Sequence, residues 1–443
     1  MPSQANVISN TEDEVTVQVT IRKSRSFQEC EEQIQDALNE AGKVATKLCL
    51  EDFDTDGSPI DVAGTRLTAK KDKVGKNYMS PYGEISVERY AYQSSLGGVT
   101  EIPLDSAARI VASSTPRFAR IASFKYAAYQ AGKAVEDIWE SHRLRVSRCY
   151  IQDVSAAVAA QVEAKDAHWK YAETSAEPLP LEVAAVAIGL DGACMLFCDE
   201  GYRQAMVGTI AFYDALGERL HTIYVAAAPE HGKATFLERM DAEVARVKQR
   251  FADARYVGVS DGASDFLPWL KEHTTTQVLD FWHVTEYINK AAVAVHRGKD
   301  ARQQWIDNAC HDLKHKHGAA REILKQLQGA RKNKLGAQTR KNLEETITYF
   351  QNNLGRMNYA SYRKTHLPIG SGVTEAACKT IVKQRMCGSG MTWKQSGAND
   401  VLTLRALTCT GGAWETFWTR LDKFGVSKLK KKKEKLDNTK EPK

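Results

Sequence analysis

The stretch LEVAAVAIGLDG (Leu181–Gly192) is a near-continuous apolar run that closes on Asp191 and Gly192. A short run of this kind, rich in Val and Ile and stopped by Gly, reads as a buried strand. Working outward, Gln204–Glu218 and Arg219–Ala228 predict two further strands joined through Ala215, Leu216 and Gly217. So short a join makes them antiparallel neighbours. The segment from Pro229 to about Ala252 predicts a helix with Phe236, Leu237, Met240, Val244 and Val247 on one face. A fourth strand, Ala254–Gly262, ends at Asp261; a helix around Phe266–His273 leads to a fifth strand, Thr276–Trp282.

Three hairpin-linked strands followed by two crossovers, β-β-β-α-β-α-β, is the element order of a ribonuclease-H-like fold, an assignment by analogy. The expected fold class is therefore α/β: a ribonuclease-H-like mixed sheet over residues 171–283, an all-α insertion over 284–365, and a last catalytic segment over 366–422. The insertion draws its apolar contacts from Trp305, Ile306, Leu313, Ile323, Leu324, Leu327, Leu343 and Ile347. The last segment opens with Pro368 and a Gly-Ser-Gly turn, then predicts a helix through Glu375 that Gly388 and Gly390 end.

Ahead of the sheet, residues 1–105 read as a small α+β region. A helix runs from Ser26 to about Leu48, with Phe27, Ile34, Leu38, Ala41, Ala45 and Leu48 near helical spacing, and Gly83–Tyr92 alternates as a hairpin strand. Residues 106–170 read as a helical, helix-turn-helix-like region. Val135, Ile138 and Trp139 mark one helix, and a second, capped by Ser147, turns Ile151, Val154, Val158 and Val162 inward. Arg143, Arg145 and Arg148 cluster at its start, where such a motif touches phosphates and base edges. Many helical hairpins share the pattern and bind nothing.

The 443 residues, 43% hydrophobic and 26% charged, have the composition of a multi-domain globular protein. No apolar run approaches the ~20 residues of a membrane helix, and the polar opening lacks a signal-peptide core, so the expected place is the cytosol, with no membrane partner. The nine cysteines are scattered and odd in number, which points to a reducing compartment; no structural zinc site is expected from their spacing. From Thr374 onward fifteen Lys/Arg face seven Asp/Glu, so the net charge of +6 belongs to the C-terminal part. That excess favours a polyanionic partner. Much of it lies in the tail SKLKKKKEKLDNTKEPK, part of a basic disordered stretch over 423–443 that is as well explained by solubility as by DNA contact.

Asp191 and Asp261 each close an apolar strand and are each followed by Gly, in LDG and SDG. One such Asp is an ordinary turn former. Two in one sheet, with Glu375 reaching across from a helix after a flexible turn, have the pattern of carboxylates converging on a pair of divalent ions about 4 Å apart. Oxygen ligands of this kind select Mg2+ or Mn2+. Lys379, Lys383 and Arg385 follow Glu375 as candidate phosphate contacts or plain surface charge, and Trp282 reads as core rather than as a base-stacking surface.

The segments GLDGACM, VSDGASDF, LDFWHVTEYI and above all LPIGSGVTEAACKTIVKQRMCGSGMTW resemble bacterial insertion-sequence transposases of the ISKra type, related to the Mutator-like group. GEISVERYAY and the PLD of IPLD are similar to that family's N-terminal region, so the resemblance covers most of the chain. It implies that Asp191, Asp261 and Glu375 are the catalytic triad and metal ligands. It also makes Asp280 and His283 an Asp-x-x-His element close to the active site, where His283 either contacts a phosphate or water or caps and packs a helix.

The resemblance further implies two Mg2+ ions per site, for which Mn2+ can substitute. Water would cut a phosphodiester at the end of the element, and the freed 3′-hydroxyl would attack target DNA. The implied partners are terminal inverted repeats and target DNA, with a homodimer or higher oligomer assembled on them in the bacterial nucleoid. Two other readings stay open: a ribonuclease-H-like nuclease or resolvase without strand transfer, and a non-catalytic DNA-binding regulator descended from a transposase.

Overall fold

The computed structural model describes residues 5–168, 182–230, 233–262 and 265–427. The boundary expected at 170/171 and nearly all of the basic tail lie outside the described residues. The chain is mixed α/β and forms two compact units, one from the described parts of 1–176 and 414–443, the other from those of 177–413.

The first unit opens with the antiparallel pair β1 (Ala5–Asn10) and β2 (Val15–Val19), then α1 (Phe27–Glu51), whose N-cap Ser26 accepts from the Glu29 amide. Six strands follow: β3 (Ile60–Val62), β4 (Thr65–Ala69), β5 (Val74–Ser80), β6 (Gly83–Arg89), β7 (Tyr92–Ser94) and β8 (Gly97–Glu101). The hairpin expected at Gly83–Tyr92 is divided between two ladders. β6 pairs back onto β5, while β7 turns through Ser95 and Leu96 to meet β8. The buried positions of α1 are Ala37, Asn39 and Leu50, and Phe27, Ile34 and Leu38 of the predicted stripe stay exposed. Tyr82 packs directly on Gly42, where a Cβ would fall 2.3 Å from its ring, so only a glycine admits the aromatic there.

Helices α2 (Pro103–Ala107), α3 (Pro116–Ala128), α4 (Ala131–His142) and α5 (Arg148–His168) complete this part. Ile151, Val154, Val158 and Val162 are buried along α5 as their spacing predicts, and the Tyr150 amide donates to Ser147 Oγ at 3.1 Å. Arg143, between α4 and α5, takes a left-handed conformation at φ +54°.

The second unit is built on β9 (Ala185–Phe197), β10 (Gly201–Tyr213), β11 (Arg219–Ala227), α6 (Ala234–Arg250), β12 (Arg255–Ser260), α7 (Leu267–His273) and β13 (Thr276–Leu279). The strands form one mixed sheet in the order β11-β10-β9-β12-β13. The first three are antiparallel, and β12 runs parallel to both β9 and β13.

Strand alternation divides the apolar residues between two layers. Val186, Ile188, Ile210, Phe212 and Ile223 meet Phe236, Met240, Val244 and Val247 of α6 and Leu270 of α7. Ala185, Ala187, Val257, Val259 and Val278 meet the helices α8 (Phe281–Val295), α9 (Lys299–His315), α10 (Ala319–Ala330), α11 (Ala337–Asn353) and α12 (Tyr359–Lys364). Trp305, Leu313, Ile323, Leu324, Leu327, Leu343 and Ile347 are buried in that layer, and Ile306 packs at its margin. Each such side chain contributes roughly 1.5–3 kcal/mol by leaving water. The helices therefore hold that face of the sheet firmly.

Beyond them α13 (Gly372–Ala377) continues through a π-helical turn, Cys378–Lys383, into α14 (Gln384–Met386), and α15 (Gln395–Cys409) follows. The last helix, α16 (Ala413–Phe424), belongs from Trp414 onward to the first unit, so a division falls inside the segment 366–422.

Three expected boundaries are corrected. Asp191 does not end its strand: β9 runs on to Phe197, because residues 192–197 keep their ladder with β10 after the pairing with β12 has stopped at Gly189. β13 ends at Leu279, because Asp280 caps α8 and draws Phe281 and Trp282 into the helix. α6 begins at Ala234 rather than Pro229, following Lys233 at φ +57°. Among the described residues no helix is long and apolar enough to cross a membrane.

Candidate active site

The parallel ladders set the height of three aspartates. Gly189 pairs with Val259, and Ser260 pairs with Leu279. Asp191 and Asp261 each stand two residues beyond the Gly189–Val259 pair, and Asp280 directly follows Leu279. Three neighbouring parallel strands thus carry an aspartate at one level, at the carboxyl edge where open α/β sheets place their ligands. Within β9 the two-residue period puts Asp191 on the same face as Ala185, Ala187 and Gly189, the face of the layer that holds Val257, Val259 and Val278.

Glu375 reaches this face from α13. The helix can lie close because a glycine faces it: Thr374 Oγ1 occupies the space over Gly189 and meets Thr209 Oγ1 at 2.7 Å.

Asp280 is 0% exposed and works as a hub. Its Oδ1 accepts from the His283 amide at 2.8 Å, which caps α8. Its Oδ2 accepts from the Ser371 amide and, at 2.6 Å, from the Ser371 hydroxyl. Burial alone would raise its pKa. The Ser371 bonds, the His283 amide and the nearby imidazole outweigh that, and hold the carboxyl below its ordinary value.

Ser371 Oγ also stands 2.6 Å from Glu375 Oε1. A hydroxyl has one proton to give, so two carboxylate contacts at this distance leave a place for a further proton or a cation. Ligand atoms of Asp280, His283 and Glu375 all lie within 4.8 Å of one another. The buried Nδ1 of His283 is 3.3 Å from Asp280 Oδ1 and, among the described residues, makes no hydrogen bond. Two carboxylates and an imidazole suit a hard or borderline divalent cation.

Asp191 and Asp261 stand outside that group of three. Asp191 Oδ1 accepts from the Gly192 amide at 2.6 Å, and its Oδ2 faces the Cys378 thiol at 3.5 Å. Burial first, then the charge of Asp191 and the bond to it, push the Cys378 thiol well up, so it is a neutral donor; Glu375 adds in the same direction and Lys383 opposes. The carboxylates of Asp191 and Glu375 therefore act on one thiol, on the helix where the π-helical turn begins. Such turns recur at functional sites. On the other side the Asp261 carbonyl accepts from Tyr349 Oη at 3.0 Å, and Arg356 donates to Ser260 Oγ at 3.0 Å.

Comparison with protein-family models and with curated proteins finds no match for this chain. The site must be judged on its geometry.

The remaining predicted residues fall in several places. Lys379 and Lys383 are exposed on the helix that carries Glu375. Arg385 is 3% exposed and lies over the Trp393 ring at 5.3 Å, so it is packed into the local core rather than standing on the surface with Lys379 and Lys383. In the first unit Arg143 is engaged by Asp36 at 2.9 Å, by Glu32 at 3.5 Å and by the Trp139 ring; Arg145 is exposed but lies over the same ring at 4.9 Å, and Arg148 is exposed.

Neighbouring acids have structural work. Asp214 accepts two amides in the β10–β11 turn, Glu200 pairs with Arg203, and Asp265 pairs with Lys233. Ser371 and Cys378 were not foreseen. A serine before a first-turn glutamate is the usual sign of a helix start, which signals Ser371; nothing in the sequence signals the thiol's partner.

Proposed function

We propose that this chain is a DNA transposase of the Asp-Asp-Glu class, cutting DNA at the ends of an insertion sequence and joining the freed 3′-hydroxyl to target DNA. The observation that carries the reading is the row of aspartates at one sheet level with Glu375 brought over it by α13. The mixed sheet with strand order β11-β10-β9-β12-β13 supports reading it as ribonuclease-H-like, by analogy, with α8–α12 as an insertion within it. The four segments that resemble ISKra-type transposases are those that build the site.

Asp191, Asp261 and Glu375 would hold two Mg2+ ions, or Mn2+ in their place, which when bound supply charge stabilisation for the phosphate and a more acidic attacking water. The chain's own groups set the stage. Asp280 fixes the Ser371 turn from which Glu375 projects, and Cys378 holds one oxygen of Asp191 in place. His283 offers an imidazole beside Glu375 to accept or return a proton at a phosphate oxygen. Lys379 and Lys383 take backbone phosphates, and Arg145 and Arg148 contact the terminal repeat. Pairing of two ends calls for a dimer or larger complex on DNA.

The close group of Asp280, His283 and Glu375 supports a second arrangement, in which these three hold one ion. Titration with Mn2+ separates the two. Loss of binding in Asp261→Asn supports the first; retained binding there with loss in Asp280→Asn supports the second.

The function itself is tested by incubating the protein with element-end DNA, target DNA and Mg2+. Joined products that disappear in Asp191→Asn and Glu375→Gln are the expected result. Hydrolysis without joining would assign the site to a nuclease, and binding of the element-end DNA with neither cutting nor joining would leave a DNA-binding regulator.

A further inference from the structure

Trp282 departs from its reading as a core residue: it is 66% exposed, although its neighbours Phe281 and Val284 are buried. The indole is held in place. The Phe281 ring meets it edge-on at 5.9 Å and 76°, and Lys314 Nζ stands 5.7 Å from its centroid.

Its position matters more than its exposure. A Cβ on Gly370 would lie 3.6 Å from Trp282 Cδ1 and 3.6 Å from Asp280 Oδ2, so the indole edge and the buried carboxylate both border this one glycine. The largest aromatic ring in the protein repertoire thus forms the lip of the carboxylate site, with a lysine beside it.

The surroundings choose between partners. Thr285, Glu286 and Asn289, the positions that share this helix face with Trp282, are polar. An apolar protein surface would find one ring and no patch around it. A nucleobase needs only a planar face to stack on, and the phosphate attached to it needs a cation such as Lys314.

We propose that Trp282 is a stacking platform for an unpaired base next to the scissile phosphate, with Lys314 meeting the adjoining backbone. The proposal rests on the DNA-cutting reading above. It makes Trp282 a positioning residue for a strand that is unpaired at its end, and predicts a preference for frayed or overhanging ends over closed duplex.

The test uses the full chain without divalent ions and duplexes ending in a three-nucleotide overhang that carries 2-aminopurine. Wild type is expected to quench the probe and to bind the overhang more tightly than the blunt duplex. Trp282→Ala should abolish the quench and weaken overhang binding by about tenfold or more while blunt-duplex binding stays. Trp282→Phe should retain most of both, and Lys314→Ala should lower the salt dependence of binding by about one unit of slope.

An unchanged quench in Trp282→Ala overturns the proposal, as does an equal loss on blunt and overhanging DNA. A change in oligomeric mass in place of the quench would make this face a protein contact and overturn it too. Failure of wild type to bind any DNA, blunt or overhanging, overturns the DNA-cutting reading and the proposal with it, whereas binding without the Trp282-dependent quench overturns the proposal alone.

Discussion

Thr374 Oγ1 fills the space over Gly189, where a Cβ would come within 2.1 Å of it. The helix of Glu375 is thereby seated on β9 through a glycine, one residue before the carboxylate that matters. Gly189→Ala should push Thr374, and Glu375 with it, away from the sheet. Overpacking of this kind costs about 1–3 kcal/mol, so a urea midpoint should fall modestly while metal-dependent cleavage falls much further. Equal, small losses in both would mean that the seat does not position Glu375. Thr374→Val is the companion variant. It leaves the Thr209 hydroxyl without its 2.7 Å partner in a buried place, a loss of about 1–3 kcal/mol.

Asp280 gives an acid-sensitive contribution to stability. Its folded pKa is lowered, so it binds protons less readily in the folded chain than in the unfolded one. Its contribution is then complete above the unfolded value near 3.8 and is lost as pH falls through the lower folded value. Asp280→Asn loses charge-assisted bonds from Ser371 but keeps an acceptor for the His283 amide, and should cost about 2 kcal/mol at neutral pH. The difference between wild type and variant in urea melts should shrink as pH drops below the ordinary carboxylate range. A difference that stays constant from neutral pH down to that range and below it would rule out this role for the charge.

Much of this arrangement could be read from the residues alone, and the parts that could not have physical causes. The apolar strand ahead of Asp191, the hairpin through Gly217 and the buried stripe of α5 follow from local periodicity, and the structure has them. The ends of strands do not follow from periodicity. Asp191 sits within β9 because β10 continues to pair with Gly192–Phe197 beyond it, a fact about a partner strand. The same holds for Asp280, whose place as a cap is decided by the helix it opens. The Asp191–Cys378 contact joins residues far apart in sequence, and no spacing rule reaches that distance. Trp282 was misjudged because an aromatic next to Phe281 resembles core, and only the direction of α8 separates the two.

Cys378 should be chemically quiet. Burial and the adjacent Asp191 keep its thiol protonated at neutral and mildly alkaline pH, and the thiolate is the form that alkylates. Iodoacetamide at pH 8 should label the exposed Cys49, Cys149 and Cys194 first, with Cys378 modified only after denaturation. Peptide mass spectrometry over a time course reads this directly. Rapid labelling of Cys378 in the folded protein would contradict the contact with Asp191. Cys378→Ser keeps a donor to Asp191 and should retain cleavage, while Cys378→Ala should lower it with little change in stability.

The turn after Asp261 combines two demands on one residue. Gly262 has φ +106°, and a Cβ there would meet the Tyr349 ring at 3.0 Å and Leu279 at 3.1 Å. Gly262→Ala meets both backbone strain and a clash, so about 1–3 kcal/mol or more of stability should be lost. Tyr349 is the better probe of function. Its hydroxyl donates to the Asp261 carbonyl at 3.0 Å, and its ring is stacked on Tyr287 at 3.8 Å. Tyr349→Phe keeps the stack and removes only the bond, which costs about 1 kcal/mol of stability. If that bond fixes the direction in which Asp261 leaves β12, cleavage should fall severalfold at saturating Mn2+ and the Mn2+ concentration for half-maximal rate should rise. A fall in thermal stability with both kinetic quantities unchanged would reduce Tyr349 to a packing residue, and would remove Asp261's backbone from the set of contacts that hold the site together.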